Sequence, residues 1–246
     1  MTNRQLIINA DDFGMSCGVN AGIVRTFLEG VVTSASLMVR RPAAREAASF
    51  ARSHPGLGLG LHLDLGEWFR RGDEWVARYV VVPLDDAAAV RCEVEAQLGA
   101  FRAITGRAPT HLDAHQHVHR EEPVRSAVES VGRRLGIPVR SFDPAIRYRG
   151  DFYGRDGDGN VRDDLISVSA LLGLADDLAP GCTELGCHPG FDAETDPSYG
   201  RERAREVRTL TDRRVREGLR SRGIELIDFR ALPDRAAGAT TAGAVS

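Results

Sequence analysis

The chain has 246 residues, 42% apolar and 27% charged, the balance of a globular fold rather than a disordered, collagen-like or disulfide-stapled one. Its 32 basic and 35 acidic residues leave a net charge of −3, which gives no electrostatic basis for binding nucleic acid or an anionic membrane. Every basic residue is arginine, which excludes Schiff-base chemistry, a pyridoxal-phosphate anchor, a lysine-completed P-loop and a carbamylated-lysine metal bridge.

Leu6–Ala10 reads as a buried strand that stops at Asp11-Asp12-Phe13-Gly14. Ser16 is placed to cap a helix from Gly18 to Glu29 with Ile23, Val24 and Phe27 as its apolar stripe and Gly30 as a left-handed stop. Val31–Val39 is a strand, Ala43–Arg52 a helix and Leu57–Leu65 a strand that carries His62. Residues 66–84 form an irregular excursion whose Trp68, Trp75 and Tyr79 suit either a sugar face or the core. From Asp86 to Ile104, Val90, Val94, Leu98, Phe101 and Ile104 recur at helical steps, and Gly106 ends the run.

Thr110–His115 is a strand, Glu122–Leu135 a helix, Ile137–Phe142 a strand, 165–178 a helix and Thr183–Cys187 a strand. Asp156-Gly157-Asp158-Gly159-Asn160 lacks the order of a calcium loop and reads as an exposed loop or hairpin. Tyr199–Arg222 is a long arginine-rich helix, solvated because its arginines alternate with Glu202, Glu206, Asp212 and Glu217, and Ile224–Phe229 closes the series. Strands alternating with helices predict an α/β fold with mostly parallel strands and barrel-like closure, as a single domain over residues 1–235. Residues 236–246 are small, without an apolar face, and are expected to be a disordered tail.

Cys17, Cys92, Cys182 and Cys187 are too few and too irregularly spaced for a disulfide framework and read as free thiols of a reducing compartment. The short apolar run Leu6–Ile8 is no secretory core, and no stretch approaches 18 apolar residues, so the expected location is cytoplasmic.

Chemistry gathers where strands end. Asp11 and Asp12 follow the first strand, His62 and His115 lie late in theirs, and His188 follows Cys187. In parallel α/β folds these ends share one rim, where sites are built. Adjacent carboxylates repel unless a cation lies beside them. Asp12 with neutral His62 and His115 makes an open three-donor set for one divalent cation, and such a cation lowers the pKa of bound water toward neutrality. Asp11 is placed as the base for that water, and His188 as the acid for a leaving group. Two imidazoles and a carboxylate suit Zn2+, while a carboxylate with waters also accommodates Mg2+. In His111-Leu112-Asp113-Ala114-His115-Gln116-His117-Val118-His119 one cation cannot reach every imidazole, because alternate residues of a strand stand about 6.6 Å apart. Arg140 could orient Asp11, bind a substrate carbonyl or serve in surface pairing.

Taken in order, Asn9-Ala10-Asp11-Asp12-Phe13-Gly14-Met15-Ser16, Gly30 with Val32-Thr33-Ser34-Ala35-Ser36, Gly58-Leu59-Gly60-Leu61-His62, Pro109 to His119, and Glu184-Leu185-Gly186-Cys187-His188-Pro189-Gly190 resemble the YdjC-type carbohydrate deacetylases, the family that includes chitooligosaccharide deacetylase. The resemblance spans residues 6–190. It implies a distorted (β/α) TIM-like barrel, one divalent metal and removal of acetyl from an N-acetylated sugar or oligosaccharide. By position it assigns Asp12, His62 and His115 as metal ligands, Asp11 as base and His188 as acid, and the choice of His115 over His117 rests on it. The chain departs from the broader polysaccharide deacetylases in lacking a helical His-x3-His pair, since His62 and His115 are far apart in sequence. The partner expected is thus an acetylated sugar, without nucleic acid or membrane, and a homodimer is compatible with the sequence. Two other readings are a metal-dependent phosphoester hydrolase, which favours a second metal, and a catalytically silent sugar-binding protein.

Overall fold

In the computed structural model, residues 3–72, 74–191 and 199–232 are described; the tail assigned to 236–246 lies outside them. The chain alternates strands and helices in the order β1 (Arg4–Phe13), α1 (Cys17–Leu28), β2 (Ser34–Leu37), α2 (Ala44–Ser53), β3 (Gly58–Leu63), β4 (Gly66–Arg71), β5 (Glu74–Val80), α3 (Ala87–Thr105) and β6 (Leu112–Ala114). It continues through α4 (Val124–Leu135), β7 (Ile146–Arg149), α5 (Val168–Asp176), β8 (Gly181–Cys187), α6 (Gly200–Leu210), α7 (Arg213–Ser221) and β9 (Ile224–Leu226). Among the described residues no helix is long and apolar enough to cross a membrane.

The main sheet runs β6-β3-β2-β1-β8-β7, with β9 beside the first residues of β1, and its pairings are parallel. It curls into an open, distorted half-barrel: among the described residues β6 and β7 are not paired with each other. The expected strand at Ile137–Phe142 shrinks to a single bridge, Leu112 to Val139, and the Ile146–Arg149 strand, unforeseen in the sequence, takes the edge beside β8. The central strands are buried almost throughout, with small and apolar residues filling the core and the buried polar ones, Asn9, Ser36 and His62 among them, gathered toward the carboxyl ends. Against them pack Val19 and Ile23 of α1, the alanines of α2, and Val90, Val94, Leu98 and Phe101 of α3.

The helix signals hold where a cap is present. Ser16 accepts from the Val19 amide, Asp86 caps α3, and Gly106 ends it at φ 73°. Gly30 is not the left-handed stop expected; a Cβ there would lie 2.4 Å from the Leu210 carbonyl oxygen, so glycine is needed for close packing. The single helix expected over Tyr199–Arg222 is two, because Asp212 leaves the helical path to cap α7 through the Arg214 amide. The helix expected over 165–178 is confined to Val168–Asp176, and the closing strand stops at Leu226 before a short 3-10 turn. The excursion at 66–84 contains an antiparallel hairpin, β4 and β5, standing at the carboxyl rim of the sheet. The loop at Asp156–Asn160 is exposed, closed by a bridge between Arg155 and Val161.

Candidate active site at the carboxyl rim

The register of β1 against β2 shifts between Ala10 and Phe13, placing Asp11 and Asp12 in a bulge at the strand end. Asp12 has φ 68°, a left-handed conformation that Asp tolerates better than most residues. The turn sends the two carboxylates to different partners. Asp11 accepts two hydrogen bonds from the Arg140 guanidinium, at 2.6 and 2.7 Å, and a third from Asn9 Nδ2 at 2.8 Å. Asp12 Oδ2 accepts from Arg203 Nη2 at 2.7 Å, while Oδ1 lies 3.1 Å from His115 Nδ1 and 3.4 Å from His62 Nε2. Burial works against both carboxylates, but Arg140 holds the Asp11 pKa below the usual range, and Arg203 with the two imidazoles holds that of Asp12 well below it.

Donor atoms of Asp12, His62 and His115 lie within 4.8 Å of one another. β3 and β6 are adjacent, with His62 opposite Asp113, which delivers His62 and His115 to one spot. His62 Nδ1 is tied to Asp113 Oδ1 at 2.8 Å, leaving Nε2 to face Asp12. His115 Nε2 is buried and has no hydrogen-bond partner among the described residues. Burial opposes charge on His62, yet Asp113, Asp12 and Asp11 push its pKa up to about 10. One carboxylate and two imidazoles converge here, and that donor chemistry fits a divalent cation.

Asp11, His62 and Asp113 make a second group of suitable donors, but a guanidinium already lies among them. Arg140 Nη2 is 2.8 Å from Asp113 Oδ2, and the same side chain meets Glu184 at 2.7 Å. Ser36 Oγ donates to Asp113 at 2.7 Å and accepts from Asn9. Arg140 is therefore a buried clamp on Asp11, not a surface pairing.

The histidine-rich segment is not a continuous strand. It leaves β6 at Ala114 and enters a 3-10 turn in which Gln116 and His117 have φ 52° and 56°. Thus His115 reaches Asp12, whereas His117 turns to Tyr148, whose hydroxyl is 3.3 Å from its Nε2. Burial pushes the His117 pKa down to about 3. His111 stacks on Phe229 below the site, and His119 Nε2 donates to the Arg140 carbonyl. Gln116 locks the turn to the hairpin, donating to Trp68 O at 2.7 Å and accepting from Trp68 N at 2.9 Å.

His188, beyond β8, points Nε2 toward Asp11 Oδ2 at 3.8 Å. Burial lowers its pKa to about 4, so the imidazole is neutral at pH 7. Its backbone amide donates to Glu206, which also accepts from the Tyr199 hydroxyl at 2.7 Å. Tyr199 stacks on Tyr153 at a centroid distance of 4.5 Å. These groups border a cleft of about 660 Å3 whose lining includes Asp11, Asp12, His62, His115, His188, Tyr148 and Tyr153, with Tyr79 and Arg78 of the hairpin on the rim. Tyr79 therefore lines the cleft, while Trp75 is exposed.

The α6 residues Arg203 and Glu206 were read as part of a solvated face and are buried. Their signal was present: Glu206 is flanked by Arg203, Val207 and Leu210, so charged groups share a helical face with apolar ones.

Comparison with known proteins agrees with this architecture. A structure from Enterococcus faecalis, named as a candidate cellobiose-phosphate cleavage protein, superposes with a TM-score of 0.74 at 27% identity, covering 93% of this chain and 98% of that one. A family 4 carbohydrate esterase from Streptomyces lividans shares the fold at a TM-score of 0.55 and 14% identity, over 94% and 96% of the two chains. In sequence, the chain is 36% identical to a carbohydrate deacetylase of Geobacillus stearothermophilus, over 92% of this chain and 97% of the relative. It is 29% identical to a chitooligosaccharide deacetylase of Serratia marcescens, over 93% and 99%. The model of the YdjC-like protein family matches residues 5–221, a span that takes in both carboxylates of β1, every histidine of the rim and the arginines that hold them, and so the chain belongs to that family.

Proposed function

We propose that this protein is a metal-dependent carbohydrate deacetylase that hydrolyses the acetamide of N-acetylated sugars or oligosaccharides. The observation that carries this reading is the convergence of Asp12, His62 and His115 donors within 4.8 Å at a cleft whose floor also holds Asp11 in the grip of Arg140. Asp12, His62 and His115 would hold a divalent cation, which would supply Lewis-acid activation of water and of the acetamide carbonyl. Asp11, ionised and fixed by Arg140, takes the proton from the attacking water. His188 is neutral at rest and becomes a donor only after receiving a proton, and Asp11 Oδ2 is its acidic neighbour at 3.8 Å. One proton thus passes from water to Asp11 and through His188 to the departing amine, leaving a free amino sugar and acetic acid, which ionises to acetate by releasing its proton to solvent. The Tyr153 ring, backed by Tyr199, offers an apolar face to the sugar.

Two imidazoles and one carboxylate favour Zn2+, with Mg2+ as the alternative. Two-metal phosphoester hydrolysis is less well supported, because Arg140 already neutralises the second donor group. We place the activity in a single domain over residues 1–235 acting in the cytoplasm.

The test is acetate release from short chito-oligosaccharides and other acetylated sugars, with the protein loaded with Zn2+ or Mg2+ or stripped by chelator. Activity is expected only in the loaded protein, and Asp11→Asn is expected to lower kcat by at least 100-fold while still binding Zn2+. Equal acetate release by Asp11→Asn removes the assigned base, and release unaffected by chelation removes the metal-dependent reading.

A further inference from the structure

Arg203 sits 4% exposed on α6, a helix whose other arginines mostly face solvent. We propose that Arg203 is a positioning residue that reserves one oxygen of Asp12, keeping that carboxylate a one-oxygen donor and the cation beside it electron-poor. The proposal rests on reading Asp12, His62 and His115 as the cation's donors.

The two oxygens of Asp12 have separate surroundings. Oδ2 is held by Arg203 Nη2 at 2.7 Å, while Oδ1 faces both imidazoles. The guanidinium itself is fixed from several sides. Its Nη1 meets the His188 carbonyl at 3.4 Å, and its carbon lies 5.7 Å from the centre of the Tyr199 ring. Room for its stem is made by Gly190, where a Cβ would lie 3.0 Å from Arg203 Cδ.

A carboxylate that shares its charge with a guanidinium donates less to a metal, and one whose second oxygen is hydrogen-bonded cannot chelate through both. Each effect leaves the cation more electrophilic and leaves coordination positions for water and the substrate carbonyl. The positive charge of Arg203 also opposes cation binding directly. The arrangement therefore lowers affinity for the metal while favouring turnover, the reverse of what a purely structural salt bridge does. Asp11 gives the contrast within the same bulge: Arg140 hydrogen-bonds both of its oxygens, where Arg203 engages only one oxygen of Asp12.

The experiment compares wild type, Arg203→Met and Arg203→Lys by calorimetric titration with Zn2+ alone, in the presence of a competing chelator, and by acetate-release kinetics at saturating Zn2+. Arg203→Met is expected to bind Zn2+ at least tenfold more tightly and to lose at least tenfold in kcat, with KM changed less than threefold. Arg203→Lys, which keeps the charge, is expected to bind Zn2+ within threefold of wild type and to recover at least threefold of the lost kcat. Weaker or unchanged Zn2+ binding by folded Arg203→Met overturns the proposal. If that variant does not fold, Arg203→Gln decides by the same criterion, and collapse of both neutral variants overturns the proposal by assigning the charge to folding. Failure of the metal reading itself looks different: wild type and Asp12→Asn then bind Zn2+ equally.

Discussion

Replacing Gly22 by alanine tests whether the His188 loop is set by close packing against α1. Gly22 is a buried residue inside the helix, where alanine is ordinarily better than glycine by about 1 kcal/mol. Here a Cβ would lie 2.4 Å from Gly190 Cα, 2.6 Å from Gly190 N and 3.0 Å from the Pro189 carbonyl carbon. Carbon atoms pack comfortably at about 3.5–4.0 Å, so helix and loop must part by roughly 1 Å or more. Both neighbours are backbone, which cannot swing aside as a side chain can. Overpacking of this kind costs about 1–3 kcal/mol, which cancels or exceeds the propensity gain and leaves a net loss of up to ~2 kcal/mol. For a domain of this size that is a fall in Tm of up to ~8 °C. The larger effect is kinetic, since His188 adjoins Pro189 and a misplacement of about 1 Å can cost about 100-fold in rate. Acetate-release kinetics, Zn2+ titration and thermal unfolding of Gly22→Ala are expected to show kcat/KM down about 100-fold, Zn2+ affinity within threefold of wild type, and Tm unchanged or lower. A rise in Tm of several degrees with normal kcat/KM refutes the packing argument.

Two further outcomes follow from the rim. Burial raises the Glu206 pKa from 4.5 to about 8, so its folded form holds a proton that the unfolded chain releases. Its contribution to stability is fully present below about pH 4.5 and is lost as pH rises through about 8. Urea unfolding is therefore expected to find Glu206→Gln favoured relative to wild type more at pH 8 than at pH 5.5, and a pH-independent difference contradicts the assignment. Gln116→Ala removes its two hydrogen bonds to Trp68 of β4, together about 1–3 kcal/mol of docking. Faster amide exchange in the hairpin and a KM raised several-fold for oligosaccharides are expected, and unchanged exchange and KM would show that the hairpin is held elsewhere.

The rim histidines and the β1 carboxylates were legible because each breaks an apolar run: Asp11 after Leu6–Ala10, His62 within Gly-Leu-Gly-Leu, His188 after Cys187. His115 was preferred to His117 only through the family resemblance, since the left-handed pair at Gln116 and His117 that separates the two imidazoles has no glycine to announce it. Arg203 and Glu206 were hidden by the charge pattern of their helix, whose interspersed arginines and glutamates imitate a fully solvated surface. The hairpin was missed because its strands mix arginine, glutamate and aromatic residues without the one-sided apolar alternation of a core strand. β7, reading Ile-Arg-Tyr-Arg, is four residues long, with Tyr148 at the site and Arg147 and Arg149 paired to the Pro180 carbonyl and Asp151, so it too lacked an apolar run.

The bulge at the end of β1 gives two consecutive aspartates different guardians from different parts of the chain. Arg140 follows the segment after β6, and Arg203 comes from a helix after β8. Under the proposed assignment of Asp11 to the proton and Asp12 to the ion, the two tasks are adjustable separately although the residues are covalent neighbours. A lineage altering one guardian can retune acidity at position 11, or ion affinity at position 12, without rebuilding the strand that carries both.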